Sequence, residues 1–150
     1  MIQSDKFDSS IMDIKKIANS ALLFSIRRLI EIFGFIISSL GLLLLIALST
    51  YSPNDPNFIF PDNSEINNLL GFYGSYVSDL FFQSIGLVSY LVPITLFFTG
   101  INIFKKKDIF LLIENIFFII LYSIFGSLFF AFFYSDVFSL FINGNGGFVG

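Results

Sequence analysis

Cysteine and histidine are both absent from this 150-residue chain. Without cysteine there is no disulfide framework, no thiolate metal site and no thiol nucleophile. Without histidine, imidazole acid–base catalysis, the Ser-His-Asp triad and the common zinc sites are excluded. No lysine follows a glycine, so the Gly-Lys step of a phosphate loop is missing as well. Charge is also scarce, at 13% of residues, where a soluble domain carries about 25%. That is too little to cover a water-facing surface. The net charge of −3 and the pI near 4.6 argue against a dedicated nucleic-acid surface. What is abundant is apolar: 55% hydrophobic residues, 23 of them phenylalanine, and a mean hydropathy of +0.85. The composition is that of an integral membrane protein in one domain, in contact with a lipid bilayer, with no catalytic residues and no cofactor expected.

The basic residues fall in two groups only. Lys6, Lys15, Lys16, Arg27 and Arg28 form the first, and Lys105, Lys106 and Lys107 the second. The connection between them carries Asp55, Asp62, Glu65 and Asp79 and no basic residue. By the positive-inside rule both basic groups face the cytoplasm, so the N-terminus is inside and residues 51–79 form an outer loop. Three apolar runs follow, at about 29–50, 80–104 and 109–134, each longer than the roughly 20 residues that cross hydrocarbon as helix. Strands lose on length, since barrel strands are about 10 residues with alternation. A cleaved signal peptide is disfavoured by the long preceding tail and by an apolar run beyond the usual h-region. The predicted fold is an all-α polytopic helix bundle with three transmembrane helices, the start of a fourth, and a cytoplasmic tail over residues 1–28. That tail reads either as a basic amphipathic helix on the anionic leaflet, with Ile11, Ile14, Ala18, Ala21 and Leu22 on one face, or as a solvated flank that sets topology.

Small residues recur at helical spacing: Gly34, Ser38 and Gly41; Gly71, Gly74, Ser75 and Ser78; Ser123, Ser127 and Ala131. Such faces suit close approach of another helix, and together they predict a packed bundle or a homo-oligomer. Pro53, Pro56 and Pro61 stop the first helix sharply, and the chain turns helical again after Asn63. Pro93 is a candidate kink in the second run. Glu114, on the third run, reads as an ion ligand or as an interfacial carboxylate paired with Lys105–Lys107. Asp79 is placed at an outer helix end. Candidate interaction residues are Tyr51, Pro53, Asp55 and Pro56 in the outer turn, Gly71, Gly74, Ser75 and Asp79 on the small face, and Gly86, Tyr90 and Pro93 in the second run. The outer segment is the expected docking surface, because it joins a rigid turn to Phe58, Phe60, Tyr73 and Tyr76.

Three stretches carry a family likeness: Thr50-Tyr51-Ser52-Pro53-Asn54-Asp55-Pro56 after a Leu-rich helix; Asn68-Leu69-Leu70-Gly71, Gly74 to Asp79, Gly86, Ser89 to Pro93 and Gly100; and Gly146-Gly147-Phe148-Val149-Gly150. On these residues the chain resembles the four-helix membrane region of FtsK/SpoIIIE-type bacterial DNA translocases over about residues 20–150. The resemblance implies an anchor in the inner membrane that holds a motor at the septum for chromosome segregation and contacts division-site proteins. It implies oligomerisation through a longer protein of which this chain is a fragment, the alternative being a truncated gene. It implies no direct nucleic-acid contact from these residues, because the ATPase and DNA-reading parts lie elsewhere in such proteins. Two further readings stay open: a small channel or transporter subunit using Glu114 and Asp79, and a stand-alone membrane scaffold.

Overall fold

The computed structural model describes residues 2–56, 65–134 and 142–150, with side chains from residue 15 onward. Phe58, Phe60 and Pro61 lie outside the described residues. Among the described residues four α-helices are formed, α1 (Ile2–Ser49), α2 (Gly71–Ile85), α3 (Leu91–Lys106) and α4 (Phe110–Phe133), and a 3-10 turn (Gly86–Tyr90) joins α2 to α3. No strand occurs among the described residues. Among the described residues three stretches are long and apolar enough to cross a membrane: Lys15–Ser49, Gly71–Lys106 and Phe110–Phe133. The expected all-α bundle is therefore present.

The tail is helical and continuous with the first spanning helix. α1 runs unbroken for 48 residues, about 72 Å at 1.5 Å per residue, so its first half projects beyond the bundle with the side chains of residues 15–29 exposed. No proline or turn cluster interrupts it before Ser52-Pro53, where the lost backbone donor ends the ladder. The closing turn is fastened by Thr50, whose N–H and Oγ1 both donate to Ile46 O, at 3.1 and 2.8 Å.

α1 packs mainly on α3, and the contact is made by glycines. Gly34, Ser38 and Gly41 of α1 face Pro93, Phe97, Gly100 and Phe104 of α3 so closely that a Cβ on Gly34 would stand 2.7 Å from Phe104 N. Association in lipid depends on such packing, because water gives apolar side chains no reason to pair there. The small face of the first run thus meets a helix, as its spacing predicts.

The other two small faces meet turns of the chain as well as helix ends. Gly74 and Ser75 lie against the chain's own outer turn, where a Cβ on Gly74 would meet Asn68 and Leu70 and Ser75 Oγ donates to Pro56 O at 2.8 Å. Ser127 and Ala131 of α4 lie under the turn of residues 146–150. The space beside these faces is filled by irregular backbone, which small residues admit as readily as a helix.

The second run also differs from a single helix over 80–104. α2 begins at Gly71, at φ +65°, a conformation glycine adopts without penalty. It ends at Gly86, with φ 61° and ψ −140°. Pro93 is not the kink: it sits in the first turn of α3, where a missing N–H costs nothing. Both ends of α2 approach the last turns of α1, with Leu70 and Gly74 beside Leu44 and Ala47 and Phe82 against Leu48. α2 therefore crosses the end of α1 instead of continuing α3 as one rod.

The interior is built inside out. Among the described residues six apolar side chains are buried against eleven polar or charged ones, while Phe117, Phe118, Phe125, Phe132 and Phe133 of α4 are exposed. That distribution leaves a surface which only a nonpolar surrounding can solvate.

At one end of the bundle Glu31 accepts from Arg28 Nη1 at 2.6 Å and from Lys107 Nζ at 2.8 Å. Lys107 closes α3 in the left-handed conformation, its N–H donating to Ile103 O at 2.8 Å. One member of each basic group, Arg28 and Lys107, is thereby joined at the same end. Glu31, not Glu114, is the carboxylate that meets the lysine cluster, because Glu31 shares the α1 face that Lys107 reaches. Glu114 is exposed on α4.

Candidate functional site

The candidate interaction residues gather at the other end, around a buried polar cap over α1. The Pro53 turn is closed by Asp55 N–H donating to Ser52 O at 3.2 Å. This points the Asp55 carboxylate inward, where it is 3% exposed. Asp55 Oδ1 accepts from Asn67 N and Asn67 Nδ2, each at 3.0 Å, and Oδ2 accepts from Asn68 N at 2.9 Å. Three donors to one buried carboxylate fix the returning chain against the turn. Hydrogen bonds to a charged group are worth about 1.5–3 kcal/mol each.

Asn68 completes the cap. Its Nδ2 donates to Ala47 O at 2.8 Å and Thr50 O at 3.2 Å, supplying carbonyls that the end of α1 leaves without helical partners. Its Oδ1 accepts from Leu70 N at 3.1 Å, and Leu69 N donates to Thr50 Oγ1 at 3.2 Å. One asparagine thus ends the first helix and starts the second.

A second chain of contacts runs from this cap into the bundle. Tyr51 Oη donates to Asp79 Oδ1 at 3.2 Å, and Gln83 Nε2 donates to the same atom at 3.4 Å. Burial pushes the Tyr51 phenol pKa well above its ordinary value, and the nearby Asp79 and Asp55 carboxylates push it further the same way. The phenol therefore stays protonated and keeps donating. The Tyr51 ring stands 4.8 Å from that of Phe82, which in turn stands 5.3 Å from Tyr90. Tyr90 Oη donates to Leu48 O at 3.2 Å, tying the 3-10 turn back to α1.

The C-terminal turn enters the same network. Gln83 Oε1 accepts from Asn143 N at 3.2 Å, and Gln83 O accepts from Asn143 Nδ2 at 3.1 Å. Phe148 N donates to Gln83 O at 2.7 Å, Val149 N to Ser84 O at 3.0 Å, Ser127 Oγ to Ile85 O at 3.1 Å, and Leu87 N to Asn145 O at 3.0 Å. Breaking the helix at Gly86 strips the carbonyls of Gln83, Ser84 and Ile85 of helical donors, and an apolar surrounding offers no water in exchange. The Gly-rich turn and Ser127 supply those donors. Asn145 is 2% exposed, donates to Tyr134 O, and has a buried Oδ1 with no partner among the described residues.

Most of the candidate residues therefore face inward. Asp55, Pro56, Gly74, Ser75, Asp79, Gly86 and Pro93 are buried, Tyr51 and Gly71 are half-buried, and Pro53 and Tyr90 are exposed. Asp79 and Glu114 lie toward opposite ends of the bundle, so the two carboxylates do not form one site. Among the described residues no three carboxylate, imidazole or thiol groups gather as metal ligands would. The contacts of Asn143, Asn145 and Gln83 are not announced by the sequence. Their one visible signal was the amide side chain itself, in stretches otherwise made of apolar and small residues.

The family model of the 4TM region of DNA translocase FtsK/SpoIIIE matches residues 26–150. The chain is similar to DNA translocase FtsK of Rickettsia bellii (strain RML369-C), 32% identical over 77 residues, which is 51% of this chain and 10% of that protein. It is similar to DNA translocase FtsK of Azospirillum brasilense, 31% identical over 88 residues, 57% of this chain and 14% of that protein. It is also similar to DNA translocase FtsK of Vibrio vulnificus (strain CMCP6), 33% identical over 103 residues, 66% of this chain and 10% of that protein. The chain thus spans only 10 to 14% of the length of these relatives. No solved structure matches it.

Proposed function

The chain belongs to the family of the 4TM region of DNA translocase FtsK/SpoIIIE, and from that premise we propose that it is the inner-membrane anchor of a DNA translocase, held at the division septum with its N-terminus in the cytoplasm. The observation that carries this reading is the family match, which covers the spanning helices, the outer cap and the C-terminal turn alike. The proposed work of these residues is positional: to hold an attached motor at the membrane and to offer division-site partners, and further copies of the protein, a rigid surface. The orientation is supported by the Arg28–Glu31–Lys107 bridge, which joins one member of each basic group at one end, as the positive-inside rule requires of a cytoplasmic face. The proposed docking surface is the exposed skin of the opposite cap, where Pro53, Glu65 and Asn67 are accessible. Asp55 and Asn68 would act from beneath by fixing its shape.

Orientation is checked with single cysteines, which the cysteine-free chain makes clean. Glu65→Cys is expected to react with a membrane-impermeant thiol reagent in intact spheroplasts, and Lys106→Cys only after lysis. The reverse pattern would overturn the orientation. The septal reading is checked by fusing a fluorescent protein to the protein as its own cell makes it. Signal is expected to concentrate at mid-cell in dividing bacteria. A well-expressed fusion spread evenly over the envelope would sink it.

A further inference from the structure

We infer that α2 lies within the bilayer, in the half opposite the basic end, with its outward face against lipid acyl chains and one chain seated in the groove between α2 and α1. The inference needs α1 to span the membrane and does not depend on septal placement.

The first argument is the distribution of side chains around α2. Tyr73, Val77 and Leu80, at the i, i+4, i+7 spacing of one helical face, are 81%, 37% and 56% exposed. The opposite face buries Gly74, Ser75, Ser78, Asp79 and Gln83, with Phe82 as its one large apolar side chain. A helix resting on a protein in water turns its apolar stripe inward and its polar residues out. α2 does the reverse, so the medium beyond it is apolar. Leu69 and Phe72, at the entry to the helix, extend the same surface.

The second argument is depth. An apolar groove of about 350 Å³ opens between the two helices, walled by Leu40, Leu43 and Leu44 of α1, by Tyr73 and Val77 of α2 and by Leu70 just before it. Leu43 lies about 9 Å along the helix from Ser49, the last residue of α1, at 1.5 Å per residue. The first half of α2 is thus packed beside a leucine-rich stretch inside the spanning segment Lys15–Ser49, below the level of the outer turn. The groove is continuous with the flank of α1 formed by Leu42 and Leu43, which are 47% and 46% exposed. A surface at that depth, with walls that are apolar but for the Tyr73 hydroxyl, fits the hydrocarbon of a lipid. The buried polar face of α2 is what lets it sit there, since Asp79 and Gln83 have their partners inside the protein and present nothing that needs water.

The test uses tryptophan, which the chain lacks. Tyr73→Trp and Leu80→Trp are made one at a time in the full chain and reconstituted into phosphatidylcholine vesicles, with and without bromine at mid-chain. Phe118→Trp, on the exposed side of α4, serves as the lipid-facing reference, and Glu65→Trp, on the outer turn, as the aqueous one. Brominated chains are expected to remove most of the emission of Tyr73→Trp and Leu80→Trp, as they do for Phe118→Trp, while iodide quenches only Glu65→Trp. If Phe118→Trp is quenched by bromine but Tyr73→Trp and Leu80→Trp are reached by iodide instead, α2 lies in water and the inference is overturned. Protection of both positions from both quenchers overturns it equally, because a second copy of the chain would then cover the face. Neither result bears on mid-cell recruitment, which is read in cells.

Discussion

Gly100→Leu is expected to have the largest effect on the bundle, because nothing around Gly100 can move aside. A Cβ at this position would stand 2.3 Å from Ser38 N, 2.5 Å from Gly34 O and 2.7 Å from Ser38 Cα. All three are backbone atoms of α1, so no rotamer change relieves the contact and the helix axes must part. Overpacking a core costs about 1–3 kcal/mol where side chains can adjust, and here the upper end of that range is the expected minimum. α1 on α3 is the principal helix pair of the fold, so separating them should expose the interior as a whole. The purified variant is expected to lose protease resistance in mild detergent and to aggregate at a lower temperature than the parent. Phe98→Leu, at an exposed position of the same helix, controls for a general loss of helix stability. If Gly100→Leu resists protease and heat as the parent does, the close α1–α3 crossing is wrong.

Gly86→Ala is expected to come second, and through a different mechanism. Gly86 combines φ 61° with ψ −140°, a region that side chains enter at a cost of about 1–3 kcal/mol. Its new Cβ would also stand 1.9 Å from Asn145 O. The C-terminal turn must therefore withdraw, which breaks the bonds from Phe148 N to Gln83 O and from Val149 N to Ser84 O. Amide hydrogen exchange at Phe148 and Val149 is expected to accelerate strongly, with little change at the α1–α3 contact. Gly147 interlocks from the other side: it too has positive φ, 67°, and a Cβ there would lie 2.6 Å from Gly86 N. Gly147→Ala should give the same exchange pattern, and the double variant little more than either alone, since both remove one contact. Retained protection in Gly86→Ala would contradict the interlock.

These two sites differ in how far the sequence announces them. The spans follow from unbroken apolar runs, and Gly34, Ser38 and Gly41 announce a helix contact because their spacing repeats on one face. That reasoning is local to a single helix and survives folding. The helix break at Gly86 is not local. Its backbone is stabilised by residues 143–149, which meet it from almost the far end of the chain, and a proline seven positions later draws attention away from it. Asp55 reads as part of a surface turn because its neighbours are turn formers, and only the return of Asn67 and Asn68 buries it. The same holds for the ion pairs: proximity in sequence joins Lys107 to Glu114, whereas the crossing of α1 over α3 delivers Glu31. The family likeness was legible throughout, because it rests on the residues that make these contacts and not on knowing what they touch.

The hydrogen bonds that close the end of α2 also impose an order in time. Gln83, Ser84 and Ile85 leave the ribosome long before the residues that will donate to two of their carbonyls, Phe148 and Val149. At a synthesis rate of about 5–20 residues per second the gap of some sixty residues lasts roughly 3–12 s. Throughout that interval the bare carbonyls need water, so this end of α2 must wait at the membrane surface while α3 and α4 are threaded. Its final position is reached only after the Gly-rich turn arrives, which makes synthesis of residues 148 and 149, not insertion of the second hydrophobic segment, the event that locks this end of α2.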